Sequence, residues 1–178
     1  MTLDELIQQE GKRIEKARGE HLFLQGNADQ SLYYVESGLL KAYYTSEDGQ
    51  ESIKSFLQSG DAIGSMTSAF SAGSCSFSLL CLEDSSLITL PFATLQALSK
   101  TDLKLANNLI ELLVQLAMKK EEREYEFLCL SAEDRLRKLM EGNAGLINRV
   151  TQNDLARYLG VTPVGLSRIK KRILADGA

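Results

Sequence analysis

The sequence predicts an α+β protein in which an antiparallel β-roll or barrel is followed by a long helix and a C-terminal pair of short helices. Short apolar or alternating runs, separated by Gly, Asp and Ser, fill residues 21–92, and this pattern is typical of antiparallel strands. From about Lys104 the spacing of apolar residues becomes helical. Near the end of the chain, two short helical patterns meet at Gly160. These three regions define the fold class.

The first element is predicted to be a helix over residues 2–18. Its apolar residues fall roughly on one helical face, and Gly11 interrupts the pattern. This charged start lacks the apolar core of a signal peptide. The whole chain of 178 residues has no run of about 18 apolar residues that would span a membrane. We therefore expect a cytoplasmic protein with no membrane partner.

The strand region carries clear turn signals. The segment "EDG" at 47–49 predicts a hairpin. Gly38 and Gly60 are expected at tight corners that need a positive φ. Pro91 closes the region, and "FATLQAL" after it predicts a short helix.

The helical pattern after Lys104 presents a wide apolar face for about four turns. Steps of three and four residues suit a seam between two helices, whereas a helix packed on its own domain is the alternative. The breadth of the stripe favours both contacts at once: one edge would pack on the roll and the other on a partner helix. The residues of the stripe are Leu105, Ala106, Leu109, Ile110, Leu112, Leu113, Leu116 and Ala117.

The C-terminal region begins with a helix capped by Ser131 and interrupted by "EGNAG" at 141–145. Thr151, with an acid three residues later, predicts the N-cap of a helix over 152–159. Gly160 allows a turn, Thr162 caps a second helix and Pro163 fits its first position. The small residue Ala156 allows close approach, and the apolar anchors are Leu155, Leu159, Val161, Leu166 and Ile169. This spacing predicts a helix-turn-helix, with a plain helical hairpin as the alternative.

Charge is distributed unevenly along the chain. The net charge is −4, but residues 1–130 carry 11 Lys+Arg and 19 Asp+Glu, whereas residues 131–178 carry 9 and 5. A basic segment on an acidic body suggests a nucleic-acid-binding module, and chance partition of surface charge is the alternative. The second short helix is expected to expose Ser167, Arg168, Lys170, Lys171 and Arg172.

With these residues in place, the chain resembles the Crp/Fnr superfamily of bacterial transcription regulators over nearly its full length. The segments that carry the resemblance are "SLYYVESGLLKAYY", "SEDGQESIKSFLQSGDAIG" and "SAEDRLRKLM…VTQNDLARYLGVTPVGLSRIKK". It implies a cyclic-nucleotide-binding-like β-roll sensor domain at 1–100, a long dimerisation helix at 101–130 and a helix-turn-helix DNA-binding domain at 131–178. The ending resembles short-tailed members, so a reduced or absent wing is expected, with any wing strands near "LINRV".

The resemblance implies a homodimer that binds double-stranded DNA at a palindromic operator, with RNA polymerase and a small-molecule effector as further candidate partners. Effector binding in the roll would reset the spacing of the two recognition helices. The predicted DNA-binding residues are Arg168, Ser167, Thr162, Val164, Lys170, Lys171, Thr151 and Gln152. Arg168 is the best candidate for reading a base, and guanine is the base expected for an arginine. Pro163 and Val164 stand where the best-known members carry Arg and Glu, so their operator is not carried over.

The roll departs from the cyclic-AMP-binding pattern. Ser65 stands where those members place a Glu, and no Arg occurs between Lys54 and Lys100. A cyclic phosphate needs a charge-assisted donor, so the effector is not expected to be cyclic AMP. The candidate effector pocket is formed by Gly64, Ser65, Met66, Ser74, Cys75 and Ser76.

The sequence predicts no metal, no cofactor and no enzyme activity. Three cysteines without a CxxC spacing and a single histidine, His21, are too few for the usual metal sites. His21 is expected to be an ordinary strand-edge residue. Cys75 and Cys81 are expected on one face, in the interior of the roll, with a redox switch as the alternative. The alternative function is a partner-binding signalling protein that uses the same dimeric scaffold without specific DNA binding.

Overall fold

The computed structural model describes residues 1–71 and 73–176, and it confirms the α+β class. By its internal contacts the chain divides into two compact units, Met1–Val114 and Gln115–Ala178. The first holds every strand of the described residues, and the second is helical. The division falls inside the long helix, whereas the predicted boundaries at 100 and 130 flank it.

Two four-stranded antiparallel sheets form the first unit. The strands are β1 Lys12–Lys16, β2 His21–Phe23, β3 Ser31–Ser37, β4 Leu39–Thr45, β5 Glu51–Gln58, β6 Ala62–Ile63, β7 Ser78–Cys81 and β8 Ser85–Pro91. One sheet has the order β1-β8-β3-β6 and the other β2-β7-β4-β5. The predicted hairpin joins β4 to β5 at Gly49, whose φ is +80°. The structure is therefore the predicted roll.

The core of the roll follows the period-two pattern of its strands. Cys75 and Cys81 are 2% and 1% exposed and lie on the core face, as predicted. Desolvation raises the pKa of the Cys81 thiol, which disfavours the reactive thiolate. The buried cluster comprises Phe23, Tyr33, Val35, Leu40, Ala42, Leu57, Ile63, Cys75, Phe77, Leu79, Cys81 and Leu87.

The predicted helix over 2–18 is wrong in its second half. Helix α1 spans only Leu3–Glu10, and Lys12–Lys16 form β1, which pairs with β8. A Cβ on Gly11 would lie 2.2 Å from Ile88 Cγ2 and 2.3 Å from the Ile7 carbonyl oxygen. The glycine therefore lets the chain leave the helix and pass directly over the sheet.

Six further helices complete the described structure: α2 Met66–Phe70, α3 Phe92–Ser99, α4 Leu103–Cys129, α5 Ala132–Ile147, α6 Gln152–Leu159 and α7 Pro163–Asp176. Helices α1 and α3 and the start of α4 bury apolar residues against the roll in a second cluster with Leu32 and Leu90 of the strands. The remaining members of this cluster are Leu6, Phe92, Leu95 and Leu105.

The predicted interruption at 141–145 is confirmed as a kink. Asn143 has non-helical angles (φ −154°, ψ 61°), and α5 continues beyond it to Ile147. No β-strand follows β8 in the part of the chain that the structure describes, so "LINRV" contributes none. Within that same part, no helix is long and apolar enough to cross a membrane.

Candidate nucleic-acid interface

Helix α6 begins as predicted, at a cap formed by Thr151. The Thr151 Oγ1 accepts a 3.0 Å hydrogen bond from the Asp154 amide and donates one of 2.9 Å to Asp154 Oδ2. These bonds satisfy one of the otherwise unpaired amides of the first turn. They also engage the single proton of the hydroxyl of Thr151, one of the predicted DNA-binding residues.

The turn between the two helices depends on Gly160. Its φ is +69°, in the left-handed region that favours glycine. The amide of Val161 donates a 3.0 Å bond back to the Ala156 carbonyl oxygen, as in a Schellman-type helix end. A Cβ at Gly160 would lie 2.9 Å from the Phe127 ring. Both the backbone conformation and the lack of space therefore favour glycine at this position.

Helix α7 begins at Pro163, and Thr162 caps it as predicted. The Gly165 amide donates a 3.1 Å bond to Thr162 Oγ1. Gly165 is therefore the third residue of the helix, in the turn held by the cap. The cost of about 1 kcal/mol for glycine applies to helix interiors, so Gly165 weakens this capped first turn by less than that.

The helix-turn-helix is held by buried apolar residues. Leu155, Ala156, Leu159 and Leu166 are completely buried, and Ile169 is 7% exposed. Helices α5, α6 and α7 contact one another in pairs. Four of the five predicted anchors are thus confirmed as buried, and Val161 is only partly buried.

One face of α7 is open to solvent. Val164, Ser167, Arg168 and Lys171 are exposed, and their spacing of i, i+3, i+4 and i+7 places them on one helical stripe. Within the described residues, Arg168 and Lys171 have no ion pair or hydrogen bond. Two cations, a hydroxyl and an isopropyl group are therefore available together to an outside ligand. We call these four residues the reading face.

Two other cations of α7 are engaged within the unit. Lys170 is only partly exposed and donates a 2.7 Å bond to Gln152 Oε1, which joins α7 to the start of α6. Arg172 lies 3.0 Å from Glu133 Oε2. Hydrogen bonds from Arg137 and Arg172 lower the pKa of Glu133. The expected row of free cations is thus reduced to Arg168 and Lys171.

An arginine cluster that the sequence did not predict joins the end of α4 to the helix-turn-helix. Arg135 donates to the carbonyl oxygens of Leu130 at 2.7 Å and Leu159 at 2.8 Å. The guanidinium of Arg123 lies 3.8 Å from the Tyr158 ring centroid and 4.4 Å from that of Phe127. Burial lowers the pKa of Arg123. No local spacing signals these contacts, because they join residues from three helices.

The predicted effector residues lie in the first unit, around the loop before β3. Ser65 is fully buried, and its Oγ accepts a 3.4 Å bond from the Ser68 amide at the start of α2. Ser68 Oγ accepts from the Asp29 amide at 3.1 Å, while Cys75 Sγ donates to the Asp29 carbonyl oxygen at 3.8 Å. The structure thus brings the segments near 65 and 75 together about Asp29.

The six predicted residues differ in exposure. Met66, Ser74 and Ser76 are exposed, whereas Gly64 is partly buried and packed so closely that a Cβ would lie 2.6 Å from Phe92. One cavity of about 440 Å³ is lined by Glu15, Lys16, Ala17, Ser37, Asp84, Ser85 and Ser86. It includes none of the predicted effector residues, which stay a prediction.

The cation Lys54 lies beside this region. Lys54 Nζ is 4.9 Å from the ring centroid of Phe77, the residue after Ser76.

His21 is in β2, as expected, with Nε2 at 2.9 Å from the Tyr43 hydroxyl. Among the described residues, no group of three or more His, Cys, Asp or Glu side chains is arranged to hold a metal.

Comparison with known proteins agrees with this architecture. Residues 13–102 match the cyclic nucleotide-binding domain family. Electron transport regulator A of Shewanella oneidensis is 31% identical over 186 residues, which cover 98% of this chain and 72% of that protein. The fumarate and nitrate reduction regulatory protein of Escherichia coli is also 31% identical, over 190 residues, with the same coverage. The chain belongs to the Crp/Fnr superfamily of transcription regulators.

Solved structures show the same Crp/Fnr fold. FixK2 from Bradyrhizobium japonicum has a TM-score of 0.78 at 18% identity, over 94% of this chain and 86% of that one. The catabolite activator protein of Thermus thermophilus has a TM-score of 0.60 at 26% identity, over 98% of this chain and 83% of that one. The curated relatives at 31% identity are regulators by name and not enzymes, which agrees with the sequence prediction.

Proposed function

We propose that this protein is a dimeric, sequence-specific DNA-binding transcription regulator of the cytoplasm, with α7 as its recognition helix. The observation that carries the proposal is the reading face of Val164, Ser167, Arg168 and Lys171. A recognition helix needs polar or apolar groups for base edges and cations for phosphates, and this face has both without an internal partner among the described residues.

The start of α6 supports a second set of contacts to the DNA backbone. Thr151 and Gln152 are exposed at this helix terminus, where amides and the helix dipole favour an anion. Because the Thr151 hydroxyl already donates to Asp154, contact here would use backbone amides. Lys170, held by Gln152 at this end of α6, would add a phosphate contact there, and Lys171 would add another from the reading face.

An exposed apolar stripe on α4 supports the homodimer. Ile110 is 58% exposed, Leu113 46% and Val114 51%, and spacings of three and four residues place them on one helical face. An exposed run of this kind marks an association surface. A second copy packed along α4 would present two recognition helices to a palindromic operator.

For the sensor role of the roll, we propose an effector other than cyclic AMP. The buried Ser65 stands where cyclic-AMP-binding relatives place a glutamate, and its hydroxyl already caps α2. A cyclic phosphate would meet no arginine from residues 55–99. We therefore expect millimolar cyclic AMP to leave the thermal midpoint of unfolding unchanged, because only a ligand that binds the native state raises it.

The experiment that tests the function is selection from a random duplex DNA pool by the purified protein, followed by sequencing. Enrichment of a palindromic consensus with half-sites about one helical turn apart is expected. If no sequence is enriched at low or moderate salt, direct DNA reading without an effector is contradicted and the partner-binding alternative is favoured.

A further inference from the structure

The valine in the first turn of α7 is largely open to solvent. Val164 is 62% exposed, whereas the apolar residues that hold this helix, Leu166 and Ile169, are buried on the other side. It is the second residue of the helix, between Pro163 and Gly165, and no charged side chain lies in this turn. Val164 therefore shares the reading face with Ser167 and Arg168 and supplies its apolar part.

The chemistry of Val164 restricts what it can recognise in a major groove. Its isopropyl group neither donates nor accepts a hydrogen bond, and a β-branched side chain is almost fixed in one rotamer within a helix. Placing it against the amino group of cytosine or adenine would leave a polar group unpaired. Thymine is the base that presents a methyl group in this groove.

On the basis of the proposed function, we propose that Val164 is a specificity-determining residue that selects thymine through its 5-methyl group, beside a guanine read by Arg168. Four residues separate Val164 from Arg168, about 6 Å along the helix axis. Successive bases of one strand rise by about 3.4 Å. The thymine is therefore within about two base pairs of the guanine.

The test uses the operator obtained by selection, with each thymine of a half-site replaced in turn by deoxyuridine, which lacks only the methyl group. At one position near the guanine, we expect the wild-type affinity to fall about fourfold, the effect of losing one buried methyl contact. The Val164→Ala variant should bind the two duplexes equally. Ser167→Ala is the matched control, and it should keep the methyl effect.

A second substitution in the DNA tests the neighbouring contact independently. Replacing the guanine by 7-deazaguanine removes the N7 acceptor that an arginine uses. This change should weaken the wild-type protein and Val164→Ala, but not Arg168→Ala. Once an operator has been selected, two results would overturn this inference: no loss of affinity on removal of the methyl group, or a loss that persists in Val164→Ala. Neither result would contradict the proposed function. If no sequence is enriched, direct DNA reading without an effector is contradicted, and the inference, which rests on it, fails as well.

Discussion

The Nη2 of Arg135 donates a 2.8 Å hydrogen bond to the carbonyl oxygen of Leu159, the last residue of α6. Its Nη1 donates to Leu130 at 2.7 Å and to Glu126 at 3.3 Å. A cation at the ends of two helices both satisfies their unpaired carbonyls and opposes the helix dipoles. One side chain thus joins the end of α4 to the first helix of the helix-turn-helix.

The Arg135→Met variant should lower the free energy of unfolding by about 2–4 kcal/mol, because several partly buried carbonyls lose a charged donor. Urea unfolding followed by circular dichroism of the helices measures this loss. Arg168→Met, the same change at an exposed arginine, should alter the free energy by less than about 0.5 kcal/mol. Equal effects at the two positions would mean that the Arg135 bonds contribute nothing.

Gly160→Ala should destabilise the protein by at least about 1–2 kcal/mol, the cost of a left-handed backbone for a residue with a Cβ. The added carbon also lies 2.9 Å from Phe127. Gly145→Ala in α5 is the control, since a Cβ there meets nothing within 4 Å and its φ is not in the left-handed region. It should be neutral or slightly stabilising. Comparable losses would contradict the assigned turn.

The single histidine gives a direct test of the electrostatics of the roll. Burial first, and then the charge of Lys41, lower the pKa of His21. The neutral imidazole is favoured in the folded state, so stability is highest above the unfolded pKa of about 6.5. It falls as pH drops from there to the folded pKa. Lys41→Met should raise the His21 midpoint in an NMR titration, whereas Lys54→Met should not. A midpoint at or above 6.5 in the wild type would contradict this account.

Ile110→Asp tests the proposed dimer. A carboxylate in the middle of the exposed stripe of α4 would be buried against the second copy, and an unpaired buried charge is costly. We expect the dimer dissociation constant, measured by analytical ultracentrifugation, to rise more than about tenfold. Gln115→Asp adds the same charge on another side of α4 and is the control. If Ile110→Asp leaves self-association unchanged, the dimer does not use this face.

Local signals in the sequence were sufficient to predict most of the helix-turn-helix. Caps at Thr151 and Thr162 and the glycine at 160 act over three or four residues, so their positions could be predicted and are confirmed. The contacts of Arg135, Lys170 and Arg172 join different helices. The sequence therefore indicated cations on α7 without indicating which of them are paired.

At the start of the chain, local signals were not sufficient to predict the structure. "KRIEK" at 12–16 has a single apolar residue, which suits one face of a helix as well as an edge strand. Pairing with β8, more than 60 residues away in the chain, decides the outcome. The capping box of Thr2 and Glu5 that fixes α1 has a recognisable spacing, and it could have predicted a separate short helix.

Base reading by α7 is tested by the ratio of affinities for the selected operator and for a scrambled duplex, measured at one salt concentration for the wild type and for Arg168→Ala. If α7 reads bases through its exposed face, the ratio should fall about 5- to 150-fold in the variant, as expected for one arginine–guanine contact. An unchanged ratio with equally weakened binding to both duplexes would make Arg168 a phosphate contact and contradict base reading by this residue.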